Sequence, residues 1–375
     1  MVCATARKSS PALCWIGASH NLQPGKRQEG RGHEVEIVRV RGLPSCLGII
    51  VACFFTGSLR AGGQGMRARA PYPVITLTNG LVALGVYLPG PEGYYRGPRF
   101  DWSGMVARVT YKGHTFFRQW KRPHDPLDQE DGIGTAEEFG CGFEGMPPPM
   151  DYGTASVGQT FLKIGVGLLL KVRQPTYLFT YPYRIIKAGR WRIHHGKNWL
   201  GFRQVMSDGR GWAYLYRKRI TLPSGSAEFI ISHYLKNTGH RTIFTTTYCH
   251  NMVAIDNDPI GPEYKVEFPF AAKLVRNWRG LARSRGKTIT FRRPVAKGEE
   301  EFSDLRGFRH KVADNEATVI NMKTGAEITI LGNRPLLAFH FFVARTVVCP
   351  ENFIRIELKP GQVTTWRNVY RLGVR

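Results

Sequence analysis

Apolar residues in this chain come in short runs, each closed by a turn signal, and almost never at helical spacing. Val74–Thr78, Asn79-Gly80 and Leu81–Leu88 read as a hairpin, with Asn-Gly supplying the two positive-φ positions of a type I′ turn. Met105–Tyr111, Lys112-Gly113 and His114–Phe117 repeat the pattern. Ala213–Leu222 and Ala227–Leu235 flank Pro223-Ser224-Gly225-Ser226, and Thr318–Met322 and Ala326–Leu331 flank Lys323-Thr324-Gly325. Leu336–Val348, Phe353–Leu358 and Val363–Arg371 complete the series. Only Ala272–Ala282 suggests a helix, through Leu274, Val275, Trp278 and Leu281, and Gly280 weakens it. No 20–50-residue repeat marks a propeller or solenoid. The expectation is an all-β chain, a large antiparallel sandwich forming one domain over 71–375.

Composition narrows the function classes. With 42% hydrophobic and 12% aromatic residues the chain is globular, and no apolar run reaches the length of a membrane-spanning helix. The net charge is +25, spread along the chain rather than held in a basic tail, which favours anionic partners without saying anything about fold. Seven cysteines, an odd number without C-x-x-C spacing, argue against a disulfide framework and a zinc ribbon. Cys141, Cys249 and Cys349 read as small buried hydrophobes.

Residues 1–70 form an N-terminal extension. Lys26, Arg27, Arg31, Arg39 and Arg41 precede an apolar core at 43–55, and small residues follow at Ala61, Gly62 and Gly63. Those are the parts of a signal peptide, so the expectation is export to the periplasm or beyond, with membrane contact only through this segment.

Several clusters carry chemistry. Thr245-Thr246-Thr247-Tyr248-Cys249-His250-Asn251 is a β-rich run ending in His-Asn, and an imidazole there can move a proton near neutral pH. Cys349-Pro350-Glu351 is read as another strand end, where Pro350 breaks the ladder and turns Glu351 toward a cleft. Tyr94 to Trp102 packs aromatic rings among charges: Arg96, Arg99, Asp101 and Trp102 suit a sugar's C–H faces and hydroxyls. Glu137 and Glu138 are adjacent, so in a strand they face opposite ways and only one can serve a site. Gly140-x-Gly142-x-x-Gly145 matches the dinucleotide fingerprint as a string, but Pro147-Pro148-Pro149 cannot open the helix that motif needs. His194-His195 lack a third metal ligand, and no metal is expected.

Taken in order, these places resemble the galactose mutarotase-like superfamily, which includes the aldose 1-epimerases. The resemblance covers roughly residues 74–371. It rests on Tyr248-Cys249-His250-Asn251, on Cys349-Pro350-Glu351 before Pro360-Gly361, and on the Asn79-Gly80 hairpin with Asp101-Trp102-Ser103-Gly104 leading to Tyr111-Lys112-Gly113-His114. The last two look like the opening strands of a frequently exported bacterial subgroup. It implies a β-supersandwich with an open cleft for one monosaccharide and acid–base anomerisation without a cofactor. By this resemblance Glu351 is the carboxylate base, kept ionised by Arg99 or Arg345, and His250 the imidazolium acid, a sugar's width away. Arg96, Arg99, Asp101, Trp102, Glu138 and Asn251 are the implied substrate-binding residues. The usual Leu-His-Gly-Gly segment is absent and Glu137-Glu138-Phe139-Gly140 stands in its place, so the resemblance does not name galactose. The positive charge suits an acidic or phosphorylated sugar.

Three alternatives stand beside this reading. One is a carbohydrate-binding sandwich without turnover. Another is a lyase or glycoside-active enzyme on a related fold. The third is a nucleic-acid binder, since basic and aromatic residues interleave at 181–191 and 212–219, but the alternation there fits a solvated sheet face and no nucleic acid is expected.

Overall fold

The computed structural model describes residues 72–278 and 280–375; the signal-peptide reading of 1–70 lies outside them. The described residues form sheets of ten, six, four and three strands in which every strand pair is antiparallel. None of their helices is long and apolar enough to cross a membrane. The expected all-β architecture is what the chain adopts.

Turn chemistry builds the hairpins, with one change. Lys112 and Gly113 both take positive φ (47° and 83°), as a type I′ turn demands. At Asn79-Gly80 only Gly80 does (89°). Asn79 instead accepts the Leu81 and Val82 amides on its side-chain oxygen and donates to the Pro223 and Ser226 carbonyls of another turn.

The ten-stranded sheet packs one face on the six-stranded sheet. Tyr214, Tyr216, Leu235 and Trp366 from the former meet Phe139, Ile243, Ile354 and Ile356 from the latter. A larger core joins Phe202, Ile231, Val319 and Tyr370 to Phe339, Phe341 and Val343. Alternation leaves the opposite face of the six-stranded sheet free for something else, because successive side chains point to opposite sides.

Two expectations are corrected. Ala272–Ala282 is not helical: it holds the short strand Lys273–Leu274 and a turn with Gly280 at φ 77°, before a strand starts at Ala282. The run from Leu336 divides into Ala338–Ala344 and Val347–Leu358, so Glu351 lies inside a twelve-residue strand rather than at its end. Pro350 does open the ladder locally. Pairing with the Ile243–Asn251 strand holds at Thr247–Ile354 and resumes at Val253–Val348. Between them the Asn251 side chain donates to the Pro350 carbonyl at 2.8 Å, supplying what a backbone donor would otherwise give.

Candidate functional site

Strand register assembles the site. Holding the register between Thr247–Ile354 and Val253–Val348 sets His250 beside Glu351. Glu351 pairs His340 on the next strand, and His340 pairs Asp304 on the strand Glu300–Arg306. Four strands thus place Asp304, His340, Glu351 and His250 in one row, on the face turned away from the ten-stranded sheet. Tyr248 and Glu138, cross-strand partners, stand in the adjacent row.

His250 Nδ1 lies 3.2 Å from Glu351 Oε1, yet no aligned hydrogen bond joins them. Both side chains are covered, with relative exposures of only 3% and 5%. Aromatic rings form the cover: Trp120, Phe342 and Phe100 have centroids 5.5, 5.3 and 6.0 Å from the imidazole. In that apolar box charge is expensive. Burial, with Arg99 adding to it, holds the His250 imidazole well below its usual range. Burial raises the Glu351 carboxyl to about 8, against the opposing pull of Arg99. The expected opposite charges and sugar-wide gap therefore give way to two neutral groups in contact.

Beside them lies a charged knot. Glu138 accepts from Arg99 Nε at 2.8 Å, Lys163 Nζ at 2.8 Å and the Tyr248 hydroxyl at 2.7 Å. Burial pushes its carboxyl up, but Lys163 and Arg99 together bring it below the usual carboxylate range. Arg99 also donates to Tyr248 at 2.9 Å and lies over the Phe179 ring. Buried charges so paired are tolerated because each partner offsets the other's desolvation.

The row opens to solvent at its other end. A cleft of about 480 Å³ is lined by His340, Asp304, Glu144, Arg306, Phe244 and Arg355, among others. That volume falls within the range of small-molecule sites. Phe143, next to the lining residue Glu144, packs its ring 5.6 Å from His340 and 5.4 Å from Phe302. Phe143 comes from the glycine-rich loop. Gly140 has φ 61°, and a Cβ there would lie 2.9 Å from the Pro149 nitrogen. That string serves a tight turn against prolines, which is why it imitates a nucleotide fingerprint. Burial lowers the His340 imidazole to about 4 despite Asp304 at 3.1 Å. Among the described residues, the group with metal-ligand chemistry within reach is Glu144, Asp304 and His340, whose ligand atoms lie within 4.8 Å of one another. The Arg276 guanidinium already supplies a cation 3.6 Å from Glu144.

No family model and no curated protein matches the sequence. Solved structures do match. A candidate aldose 1-epimerase from Escherichia coli K12 superposes with a TM-score of 0.50 at 13% identity, covering 80% of this chain and 99% of that one. The chain has the galactose mutarotase-like fold. Similar too are an aldose epimerase homologue from C. elegans (TM-score 0.49, 13% identity, 81% and 99% covered) and galactose 1-epimerase from Lactobacillus acidophilus (0.44, 10%, 80% and 94%).

Within this mutarotase-like fold, alternation sorts the residues expected from sequence. His250, Glu351, Arg99 and Glu138 converge on the outer face of the six-stranded sheet. Asn251, one position from His250, points the other way and accepts from the Tyr370 hydroxyl at 2.9 Å in the inter-sheet core. Asp101 is buried with Tyr216 at 2.9 Å and Lys218 at 3.4 Å. Glu137, facing opposite to Glu138 as expected, pairs there with Lys218 at 2.5 Å and His233 at 2.9 Å. Arg96 and Trp102 line a separate cleft of about 470 Å³ with Pro91, Pro98 and Tyr183. Sequence reading missed His340, Asp304 and Lys163. His340 sits alone in an apolar run, and only its pairing opposite Glu351 singles it out.

Proposed function

We propose that the protein interconverts the anomers of a monosaccharide or sugar derivative, an isomerase of the aldose 1-epimerase type working without a cofactor. The observation that carries this reading is the His250–Glu351 contact. Near neutral pH the pair holds one proton, whichever partner has it. Burial favours the neutral tautomer, so the roles suggested by sequence are exchanged. Neutral His250 accepts the proton of the anomeric hydroxyl while protonated Glu351 donates to the ring oxygen. The ring C–O bond breaks to give the open aldehyde, the aldehyde carbon rotates, and reclosure returns both protons. Anomeric oxygen and ring oxygen share one carbon, so groups 3.2 Å apart suit them better than groups a sugar's width apart. Arg306 and Arg355 in the adjoining cleft favour a sugar carrying a carboxylate or phosphate.

The test is anomer exchange followed by NMR across neutral, acidic and phosphorylated monosaccharides. Glu351→Gln is expected to retain binding and lose at least about 100-fold in turnover, the scale of general acid catalysis. Wild-type exchange no faster than buffer would sink the reading. The coverage of His250 and Glu351 supports a second reading, a sugar-binding sandwich without turnover; saturation-transfer signals with no excess exchange would favour it.

A further inference from the structure

The outer face of the ten-stranded sheet carries a feature that the sugar site does not explain. On three adjacent strands, Trp191–His195, Trp199–Ser207 and Ala213–Thr221, Arg192 pairs Arg203 and Arg203 pairs Arg217. Three arginines thus occupy directly opposite positions on neighbouring strands, at strand spacings of roughly 4.8 Å. In the next row Arg219 lies between Gly201 and Ser232, and Ser232 pairs Arg367. Arg192, Arg217, Arg219 and Arg367 are exposed, and Arg203 is half-buried. Among the described residues no carboxylate forms an ion pair with any of these five. Glu228, which shares this face, is taken by Arg371 at 3.3 Å. Like charges directly opposite across a sheet are destabilising. Charge on an edge strand guards against strand addition, which accounts for Arg192 alone, since the Arg203 and Arg217 strands are interior.

We propose that this face binds an acidic polysaccharide, its carboxylates spanning the arginine row. Two arginines are stacked on rings: Arg219 lies 4.1 Å from the Trp199 centroid and Arg217 5.1 Å from that of Tyr234. Stacking on a ring narrows the orientations open to each guanidinium, which favours bidentate carboxylate recognition. The same stacking occupies the rings that a single-stranded nucleic acid would need for its bases, so charge complementarity here favours an acidic glycan. Arginine positions one strand apart, roughly 4.8 Å, are spaced on the scale of one sugar unit and so match an extended chain of uronates. This site is separate from His250 and Glu351 and does not depend on their chemistry.

The experiment is retention of the full chain on immobilised polygalacturonate, with neutral dextran and oligo(dT) as competitors at fixed salt. The triple variant Arg192→Gln/Arg203→Gln/Arg217→Gln is expected to bind about tenfold more weakly. It should melt no lower than wild type, because repulsion has been removed. Arg283→Gln/Arg285→Gln/Lys287→Gln makes the same charge change at the far edge of the sheet and is expected to bind as wild type. Should Arg217→Gln alone be needed, weaker retention is again expected. The proposal is overturned if wild type is not retained, if both triple variants lose equally, or if oligo(dT) displaces polygalacturonate more effectively than soluble polygalacturonate does.

Discussion

At the scale of single residues, Glu351 decides how the site behaves with pH. Its carboxyl titrates at about 8 when folded and at 4.5 as a free side chain, with burial the main cause. The folded state therefore keeps a proton that the unfolded state releases, and stability declines as pH rises from 4.5 to 8. The loss amounts to about 2–5 kcal/mol. Glu351→Gln should abolish that slope, so urea midpoints of the two proteins should diverge across this window in favour of the variant. Parallel curves would place the proton elsewhere. The proposed anomer exchange, in which Glu351 acts in its acid form, should fall above pH 8 in a profile of kcat against pH. Below that range His250 sets the opposite limit, because its imidazole must be neutral to accept a proton.

At the scale of elements, a proline inside a strand and an asparagine beside a histidine work as one device. Pro350 opens the ladder at the row where His250 and Glu351 need room, and Asn251 restores the missing hydrogen bond from the neighbouring strand. Asn251→Ala leaves the Pro350 carbonyl and the Tyr370 hydroxyl without that partner. A loss of about 1–3 kcal/mol is expected from chemical unfolding. Hydrogen exchange should show faster opening at Met252 and Val253, where pairing resumes. This device was half legible: Cys349-Pro350-Glu351 announced a disturbed ladder, but strand ends cannot be told from strand interiors without the partners. Likewise Asn79-Gly80 announced a turn, while its cross-turn bonds to Pro223 and Ser226 needed the fold.

At the scale of the whole molecule, buried ions tie the layers together. Lys218, fully buried, joins the ten-stranded sheet to Glu137 on the six-stranded one and to Asp101. Burial pushes the Glu137 carboxyl up, but His233 and Lys218 bring it to about 2. Its contribution is present above pH 4.5 and is lost as pH falls toward 2. Lys218→Met removes the lysine from two buried carboxylates, leaving Glu137 to His233 and Asp101 to Tyr216 and Ser103, and should cost about 3–5 kcal/mol, with an earlier acid transition in circular dichroism. Lys163→Met should do the same for Glu138 and also loosen Arg99 and Tyr248 beside His250.

What the sequence determined by itself was local: alternation, turn residues and the absence of helical spacing dictate an antiparallel all-β chain, and His250 and Glu351 stand out by their immediate neighbours. Alternation also placed Glu137 and Glu138 on opposite faces. Which face is core and which carries the candidate site depends on pairing between segments about a hundred residues apart, and no local pattern encodes that partner choice. Tertiary structure alone therefore aligned His340 and Asp304 with Glu351, turned Asn251 and Asp101 into the inter-sheet core and moved Arg96 and Trp102 to another cleft. It also set the burial that pushes the Glu351 carboxyl up and the His250 imidazole down, because desolvation is a property of what surrounds a side chain in space rather than along the chain.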